Sequence, residues 1–160
     1  MPEHEEFDLI NHSAIIFDSG TASFDAITKA QLGRAVVAAL LPANAYATRN
    51  QYVFVRSFTL TQTQVLGYLQ GATGSDWTIQ HRSSTEQSFK GRAAFAEMMK
   101  RPEPATEKGF YAAILDIVVA VYFGYGGEAR FTEKTTKWMD ILQLEEETPE
   151  AVVRRVCEMF

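Results

Sequence analysis

The sequence predicts an α/β fold with few parallel strands and a mainly helical second half. Three short segments, 14–18, 51–55 and 77–81, have the β-branched, aromatic or alternating composition that is typical of strands. Apolar residues at helical spacing follow each of them. This repeated order of strand and helix favours an α/β unit that contains a parallel pair of strands. After Arg82 the pattern becomes mainly helical.

The first strand and helix have recognisable ends. Ser19 and Gly20 predict a turn directly after the strand at 14–18. Thr28 and Gln31 have the spacing of a capping box, in which the two side chains satisfy free backbone N–H groups at a helix start. The helix they predict carries apolar residues at positions 32, 35, 36, 39 and 40 and ends before Pro42.

A second capping box and a glycine pair delimit the next helix. Thr61 and Gln64 predict its start, and Val65, Leu66 and Leu69 form its apolar stripe. We expect the helix to end near Gly71 and Gly74, because glycine readily adopts the left-handed conformation of a helix cap.

The second half of the chain is predicted to be helical. Residues 84–100 form an amphipathic pattern that stops at 101–104, RPEP. Residues 106–122 also predict a helix, although the β-branched letters of 117–123 leave a strand as an alternative. Two shorter helices are predicted at 138–142 and from Thr148-Pro149 onward.

Composition excludes several classes of protein. Of 160 residues, 46% are hydrophobic and 22% charged, so we expect one domain that spans 1–160. With 15 Lys and Arg, 20 Asp and Glu and no basic cluster, we expect no nucleic-acid partner. The acidic start at 1–8 is unlike a signal peptide, and the apolar run 110–123 is too short for a membrane span. We therefore expect no membrane partner. The single Cys157 fits a reducing compartment, so we expect a cytoplasmic protein.

One segment matches a nucleotide-binding fingerprint. Residues 124–129, GYGGEA, fit GxGxxA and follow an apolar run. The fingerprint requires a strand before the glycines and, after them, a helix whose N-terminus meets the pyrophosphate. No apolar helical stripe follows in 130–133, so a glycine-rich loop is the better interpretation. Residues 71–74, GATG, are interpreted as a helix cap, because a helix C-terminus has the wrong dipole for an anion.

The sequence offers no metal or nucleophile motif. His4, His12 and His81 lack metal-ligand spacing, and HExxH, CxxC and GxSxG are absent from the sequence. Cys157, four residues after Val153, is interpreted as a small core residue. We therefore predict no metal, and the catalytic residues stay unknown.

Aromatic residues are dense on either side of the glycine-rich loop. Such a group has two interpretations: it lines a pocket for a flat aromatic or apolar ligand, or it packs in the core. The residues that we take as candidates for substrate binding are Phe110, Tyr111, Tyr122, Phe123 and Tyr125.

Three stretches together resemble the C-terminal half of NmrA-like, isoflavone-reductase-like proteins, particularly fungal ones. Residues 14–41 resemble a strand, a turn and a helix with an IG-x-A pattern, here LGRA at 32–35. Residues 50–79 are similar to the family's N-R-Y-V-Y, S-F-x-x-T-Q and A-T-G-x-x-W patterns. Residues 123–156 are similar to its closing YGG and LGL patterns, with Gln143 where a glycine is expected.

The resemblance implies the substrate-side region of a Rossmann-type reductase that uses NADP or NAD. In the family, a TGxxGxxG loop and a catalytic lysine lie in an N-terminal dinucleotide-binding half, and these 160 residues contain neither feature. We therefore expect that half to be absent, no cofactor for this chain alone, and no cofactor-binding residue to carry over. A sheet that normally extends further is expected to expose an edge and apolar surface.

Three functions follow as alternatives. The chain is a truncated relative of these oxidoreductases without independent catalysis, or part of an active reductase completed by a separate or missing half. The third alternative is a non-catalytic regulatory or binding protein. The exposed edge suggests a homo-oligomer or a partner protein, and the aromatic residues suggest a small aromatic or apolar substrate.

Overall fold

The computed structural model describes residues 6–100, 106–124 and 129–159. Within these ranges the strands are β1 (Phe7–Asp8), β2 (Ser13–Phe17), β3 (Ser23–Ala26), β4 (Phe58–Thr61) and β5 (Thr78–Arg82). The helices are α1 (Lys29–Leu40), α2 (Pro42–Thr48), α3 (Gln62–Thr73), α4 (Ser84–Lys100), α5 (Glu107–Phe123), α6 (Thr132–Ile141) and α7 (Pro149–Cys157). The α/β class and the helical second half are confirmed.

The larger sheet contains the predicted parallel pair. β2 pairs in parallel with β5, with Ile15 opposite Gln80, and its other edge pairs antiparallel with β1. The strands predicted at 14–18 and 77–81 match β2 and β5 to within one residue. The predicted turn after β2 contains Gly20 at φ 68°, where a Cβ would lie 2.6 Å from Cγ2 of Ile16. Both the backbone angle and the lack of space require glycine there.

Both faces of β2 are buried, because helices cover the sheet on each side. Ala14 and Ile16 point to one face and pack in a cluster with Leu66 and Leu69 of α3 and with Trp77. Ile15 and Phe17 point to the opposite face and pack with Val119 of α5. This explains why β2 is an uninterrupted apolar run, as expected for a strand covered on both sides.

The second sheet corrects one prediction. The strand predicted at 51–55 is wrong: those residues form no strand, and β4 begins at Phe58. β4 pairs antiparallel with β3, which is only four residues long, and Ser57 donates its backbone N–H to Ala26 at 2.8 Å. Residues before Ser57 therefore have no strand edge to pair with, and β-propensity without a partner does not form a strand.

The predicted helix caps are confirmed in two of three cases. At α3, Thr61 and Gln64 form the full capping box, and Gly74 ends the helix in the left-handed conformation at φ 63°. At α1, Thr28 accepts from the N–H of Gln31, but the Gln31 side chain bonds to other backbone carbonyls. The α1 box is therefore only half formed.

Helices α4 and α5 pack closely against each other, so the strand alternative for 117–123 is wrong. A Cβ at Gly91 of α4 would lie 2.7 Å from Cβ of Asp116 and 2.8 Å from the Ala113 carbonyl oxygen. Asp116 is 4% exposed and accepts a hydrogen bond from Gln87 Nε2 at 2.5 Å, with Lys90 Nζ at 3.9 Å. The predicted stop of α4 at 101–104 lies outside the described residues.

Of the last two helices, α6 begins earlier than the sequence predicts, and α7 begins where the sequence predicts it. α6 runs from Thr132 to Ile141, six residues ahead of the predicted start at 138, and α7 begins at Pro149. Within the described residues, no helix has the length and apolar character that a membrane crossing requires.

Candidate substrate groove

Two loops meet at the carboxyl ends of the parallel strands β2 and β5. Asp18 lies directly after β2, and its carboxylate accepts hydrogen bonds from the backbone N–H of Ser84 at 3.1 Å and its hydroxyl at 2.5 Å. The backbone N–H of Asp18 donates to the carbonyl of Arg82 at 2.8 Å. A carboxylate is favourable here because the N-terminus of α4 carries partial positive charge. These bonds fix the start of α4 beside the end of β2.

A groove of about 380 Å³ lies at this end of the sheet, between α4 and α5. In α/β folds, ligands bind preferentially at the carboxyl ends of parallel strands. The described residues that line the groove are Ser84, Thr85, Ser88, Phe89 and Arg92 of α4, and Ala120, Val121 and Gly124 at the end of α5.

The absence of a side chain at Gly124 keeps the two helices in contact at the base of the groove. A Cβ there would lie 2.4 Å from the carbonyl oxygen of Ala120 and 3.0 Å from Oγ of Ser84. Any larger residue would collide with both helices. Gly124 therefore has a packing role between the end of α5 and the start of α4.

The groove offers hydroxyl groups, one aromatic ring and one positive charge. Phe89 is 75% exposed beside it, and Arg92 donates from Nε to Oγ of Ser88 at 3.2 Å. An exposed ring provides an apolar contact surface, and a guanidinium recognises carboxylate or phosphate groups. The described lining residues include no Asp, Glu, His, Cys, Lys or Tyr. These residues can therefore bind a ligand, and they show no acid–base pair.

Two of the predicted pocket residues lie at the first turns of α5. Phe110 packs against Phe95 of α4, with ring centroids 6.0 Å apart, and contacts Tyr111 edge-on. Their exposed fractions are 42% and 56%. They lie about 18 Å along the helix from the next two candidates, since each residue adds about 1.5 Å.

The other two described candidates lie at the end of α5. Phe123 stacks on Phe17 at 6.1 Å and packs edge-to-face on Phe24 at 5.1 Å. Tyr122 is 43% exposed and contacts both Phe123 and Phe24. None of the four lies among the described lining residues of the groove, and Tyr125 lies outside the described residues.

The groove residues of α4 do have a signal in the sequence. Ser84, Ser88 and Arg92 recur every four residues, so they share one face of the predicted helix at 84–100. Phe89 follows Thr85 at the same spacing. This face carries hydroxyls and a cation next to an aromatic ring, a pattern that differs from the aromatic density around α5.

A second cavity of about 310 Å³ lies on the other side of the sheet and is lined by Leu9, Ile10, His12, Thr73 and Cys157. The Cys157 thiol is free and half-buried, and it packs against the cluster around Trp77. Its interpretation as a small core residue therefore holds only in part. His12 lies 5.6 Å from the Trp77 ring. Among the described residues, no group of three or more His, Cys, Asp and Glu is placed to hold a metal ion.

The element before the glycine-rich sequence differs from the one in the dinucleotide fingerprint. The element before Gly124 is the helix α5, whereas the fingerprint requires a strand at that position. Gly71 and Gly74 lie at the C-terminal end of α3, where carbonyl groups point outward. Neither glycine sequence is therefore preceded by the strand that the Rossmann fingerprint requires.

Two fungal proteins named oxidoreductases are similar to this chain, although no family model matches it. Oxidoreductase poxI of Penicillium oxalicum is 31% identical over 157 residues, which are 96% of this chain and 45% of that protein. Oxidoreductase aprR of Aspergillus flavus is 32% identical over 102 residues, 59% of this chain and 34% of that protein. The chain is thus an oxidoreductase-like relative of these two proteins. It spans less than half the length of each of them.

A solved structure has the same fold. A nucleoside-diphosphate-sugar epimerase from Staphylococcus aureus matches with a TM-score of 0.55 and 14% identity, over 91% of this chain and 44% of the epimerase. At this identity the likeness concerns the fold. The described elements therefore form an α/β arrangement that occurs within a larger epimerase-type protein.

Proposed function

We propose that this chain is the substrate-side lobe of an NmrA-like, isoflavone-reductase-like oxidoreductase that uses NAD(P)H. Its groove between α4 and α5 binds a small molecule with an aromatic or apolar body and an anionic group. The lobe alone binds this substrate without turning it over, because hydride transfer also requires a nucleotide-binding half.

The position of the groove is the observation that carries this proposal. It lies at the carboxyl ends of β2 and β5, in a chain that aligns over 96% of its length with an oxidoreductase. Phe89 offers a ring for an apolar body, and Arg92 offers a charge-assisted hydrogen bond for an anion. This combination supports a substrate such as an aromatic acid.

The chemistry of the lining supports binding without turnover. The described groove residues provide no proton donor or acceptor of the kind that reduction of a carbonyl or a double bond requires. The element that precedes the glycine-rich sequence is the helix α5, whereas a dinucleotide site of the Rossmann type requires a strand there. A second half therefore has to supply the cofactor.

A titration with trans-cinnamate, followed by two-dimensional NMR of the labelled chain, tests the groove. We expect shifts of amides in 84–92 and 118–124. Arg92→Gln should weaken binding about tenfold, because hydrogen bonds to charged groups contribute about 1.5–3 kcal/mol. Arg155→Gln, an exposed arginine of α7, is the matched control and should leave binding unchanged.

Cinnamyl alcohol tests in the same assay whether binding depends on the carboxylate or on the shape of the ligand. It should bind about equally to the native chain and to Arg92→Gln, since it has no carboxylate. Shifts confined to the surroundings of Phe110 and Tyr111 would place the site elsewhere. Oxidation of NADPH by the isolated chain, followed at 340 nm, would contradict a lobe without independent catalysis.

A further inference from the structure

Helix α1 turns its apolar side away from the rest of the described chain. Its buried residues are Gln31 and Ala35, which are 0% and 4% exposed. At 100° per residue, the opposite side of the helix is apolar and exposed. We call this side the outer α1 face: Val36 (52% exposed), Val37 (64%) and Leu40 (76%), with Leu32 (49%) at its edge.

The inner side of α1 is attached by hydrogen bonds and by small alanine side chains. Gln31 donates to the carbonyl of Glu145 at 2.8 Å, and the Arg34 guanidinium pairs with Glu147 at 3.0 Å. Ala35 is buried, and Ala38 and Ala39 are half-buried. A surface helix normally buries its larger apolar side chains. In α1 the leucines and valines are the exposed residues, which is expected when a second surface covers the outer face.

Helix α2 is also exposed. None of its residues is buried, and Tyr46 is 93% exposed. The helix is held to α1 by hydrogen bonds from Asn44 to the Ala38 carbonyl and from Thr48 to the Ala39 carbonyl, both 3.0 Å. A helix of seven residues gains little stability by itself and normally depends on packing. Contiguous exposed apolar side chains, such as those of the outer α1 face, are typical of an interaction site.

The relatives indicate what covers this surface. The chain aligns over 96% of its own length with poxI but spans only 45% of it, and it spans 44% of the epimerase of similar fold. More than half of each of these proteins therefore lies beyond the matched region. A segment of that size is large enough to cover the outer α1 face, which offers an uncovered apolar helix surface for it.

We propose that the outer α1 face docks the nucleotide-binding half of a longer reductase-like protein. This rests on the proposed function, in which a separate half supplies the cofactor. The docking half presents an apolar surface to the helix. Gly33, whose Cβ position has no atom within 4 Å, allows that surface to approach the α1 backbone closely.

Hydrogen exchange of a chimera tests the docking. In the chimera this chain replaces the segment of poxI that aligns with it, so that the remainder of poxI is present. We expect the α1 amides of residues 32–41 to exchange at least about tenfold more slowly than in the isolated chain. Val36→Glu combined with Leu40→Lys should abolish that protection and leave the isolated chain folded. Met99→Glu, at a residue that is 71% exposed on α4, is the control and should keep it.

Two outcomes would count directly against the proposal. A folded chimera with unprotected α1 amides overturns it. So does a dimer of the isolated chain, seen by sedimentation velocity, that the double substitution dissociates, because the occupant is then a second copy. If the chimera aggregates, the same exchange experiment is done on full-length poxI. Fast exchange in the poxI segment that aligns with α1 would overturn the proposal, and slow exchange there would support it. The cinnamate titration probes a different surface, so failure of the groove and failure of the docking are distinguishable.

Discussion

Ser57 and Glu147 are joined by two reciprocal hydrogen bonds. The Ser57 hydroxyl donates to Oε2 of Glu147 at 2.6 Å, and the backbone N–H of Glu147 donates to the carbonyl of Ser57 at 3.0 Å. The same carboxylate accepts from Oγ1 of Thr28 at 2.5 Å and pairs with Arg34 at 3.0 Å. One side chain thereby holds the segment before α7 to the start of α1 and to the residue before β4.

Glu147→Gln should reduce the free energy of unfolding by about 1–3 kcal/mol at pH 7, because it replaces charge-assisted hydrogen bonds by neutral ones and removes the ion pair with Arg34. Urea unfolding followed by circular dichroism measures the loss. Glu97→Gln is the matched control, because both side chains of the Glu97–Lys100 pair are exposed. This substitution should change the free energy of unfolding by less than about 0.5 kcal/mol. Equal losses in the two variants would contradict a special role for Glu147.

The pH dependence of stability should carry the signature of Glu147. Burial raises the pKa of its carboxyl, but hydrogen bonds from Ser57, Thr28 and Arg34, together with the Arg34 charge, outweigh this and lower the pKa from 4.5 to about 2. A carboxyl whose pKa is lower in the folded state contributes stability above its unfolded pKa, and this contribution is lost as the pH falls. The difference in stability between the native chain and Glu147→Gln should therefore shrink from pH 4.5 to 2.

Unfolding measured from pH 7 to 2 on both proteins checks this. The pKa of Asp8 is also lowered, mainly by a hydrogen bond from Asn11, but this contribution is present in both proteins and cancels in the difference. A difference that stays constant below pH 4.5 would show that the Glu147 charge is not what stabilises the fold.

Gln62→Ala should cost about 3 kcal/mol. The Gln62 side chain is 1% exposed, accepts from the N–H of Phe17 at 2.8 Å and donates to the carbonyl of Ile15 at 3.1 Å. It thus takes the place of a neighbouring strand along part of β2, and its removal leaves two buried backbone groups without a partner. Gln64→Ala, which removes only a capping contact, should cost about 1 kcal/mol. Thermal unfolding of both variants checks the order of the two losses.

Local signals in the sequence predict the elements whose ends are set by neighbouring residues. The turn at Gly20 and the capping box at Thr61 depend on contacts within a few residues, so their patterns were sufficient. The strand predicted at 51–55 is wrong because β4 depends on pairing with β3, more than thirty residues away. The sequence does not indicate the start of α6, because the first turns of this helix are rich in threonine, which has a low helix propensity. Thr135, only 2% exposed, bonds back to the carbonyl of Phe131 there.

The groove depends even more on long-range contacts. The repeat of Ser84, Ser88 and Arg92 marks one face of α4, but the sequence does not indicate that the end of α5 forms the other wall. The aromatic density around α5 was visible, yet Phe123 packs on Phe17 and Phe24 while Phe110 lies at the opposite end of the helix. These two candidates therefore lie at opposite ends of α5, and a role of the aromatic residues in substrate binding stays a prediction.

The close approach of α4 and α5 should make Gly91 intolerant of a side chain. In Gly91→Ala the new methyl group would lie 2.7 Å from Cβ of Asp116 and 2.8 Å from the carbonyl oxygen of Ala113, and a backbone carbonyl cannot rotate away as a side chain can. We expect a loss of about 1–3 kcal/mol, because the two helices have to separate.

Gly67→Ala in α3 is the matched control for Gly91. Nothing lies within 4 Å of its Cβ position, so the higher helix propensity of alanine should raise stability by about 0.5–1 kcal/mol. The two substitutions make the same chemical change within helices, and the expected effects have opposite signs. Urea unfolding of both variants measures them. Because α4 and α5 form the two walls of the groove, Gly91→Ala should also weaken cinnamate binding, whereas Gly67→Ala should leave it unchanged. A stabilised Gly91→Ala variant with unaltered binding would show that the helix contact is looser than the structure indicates.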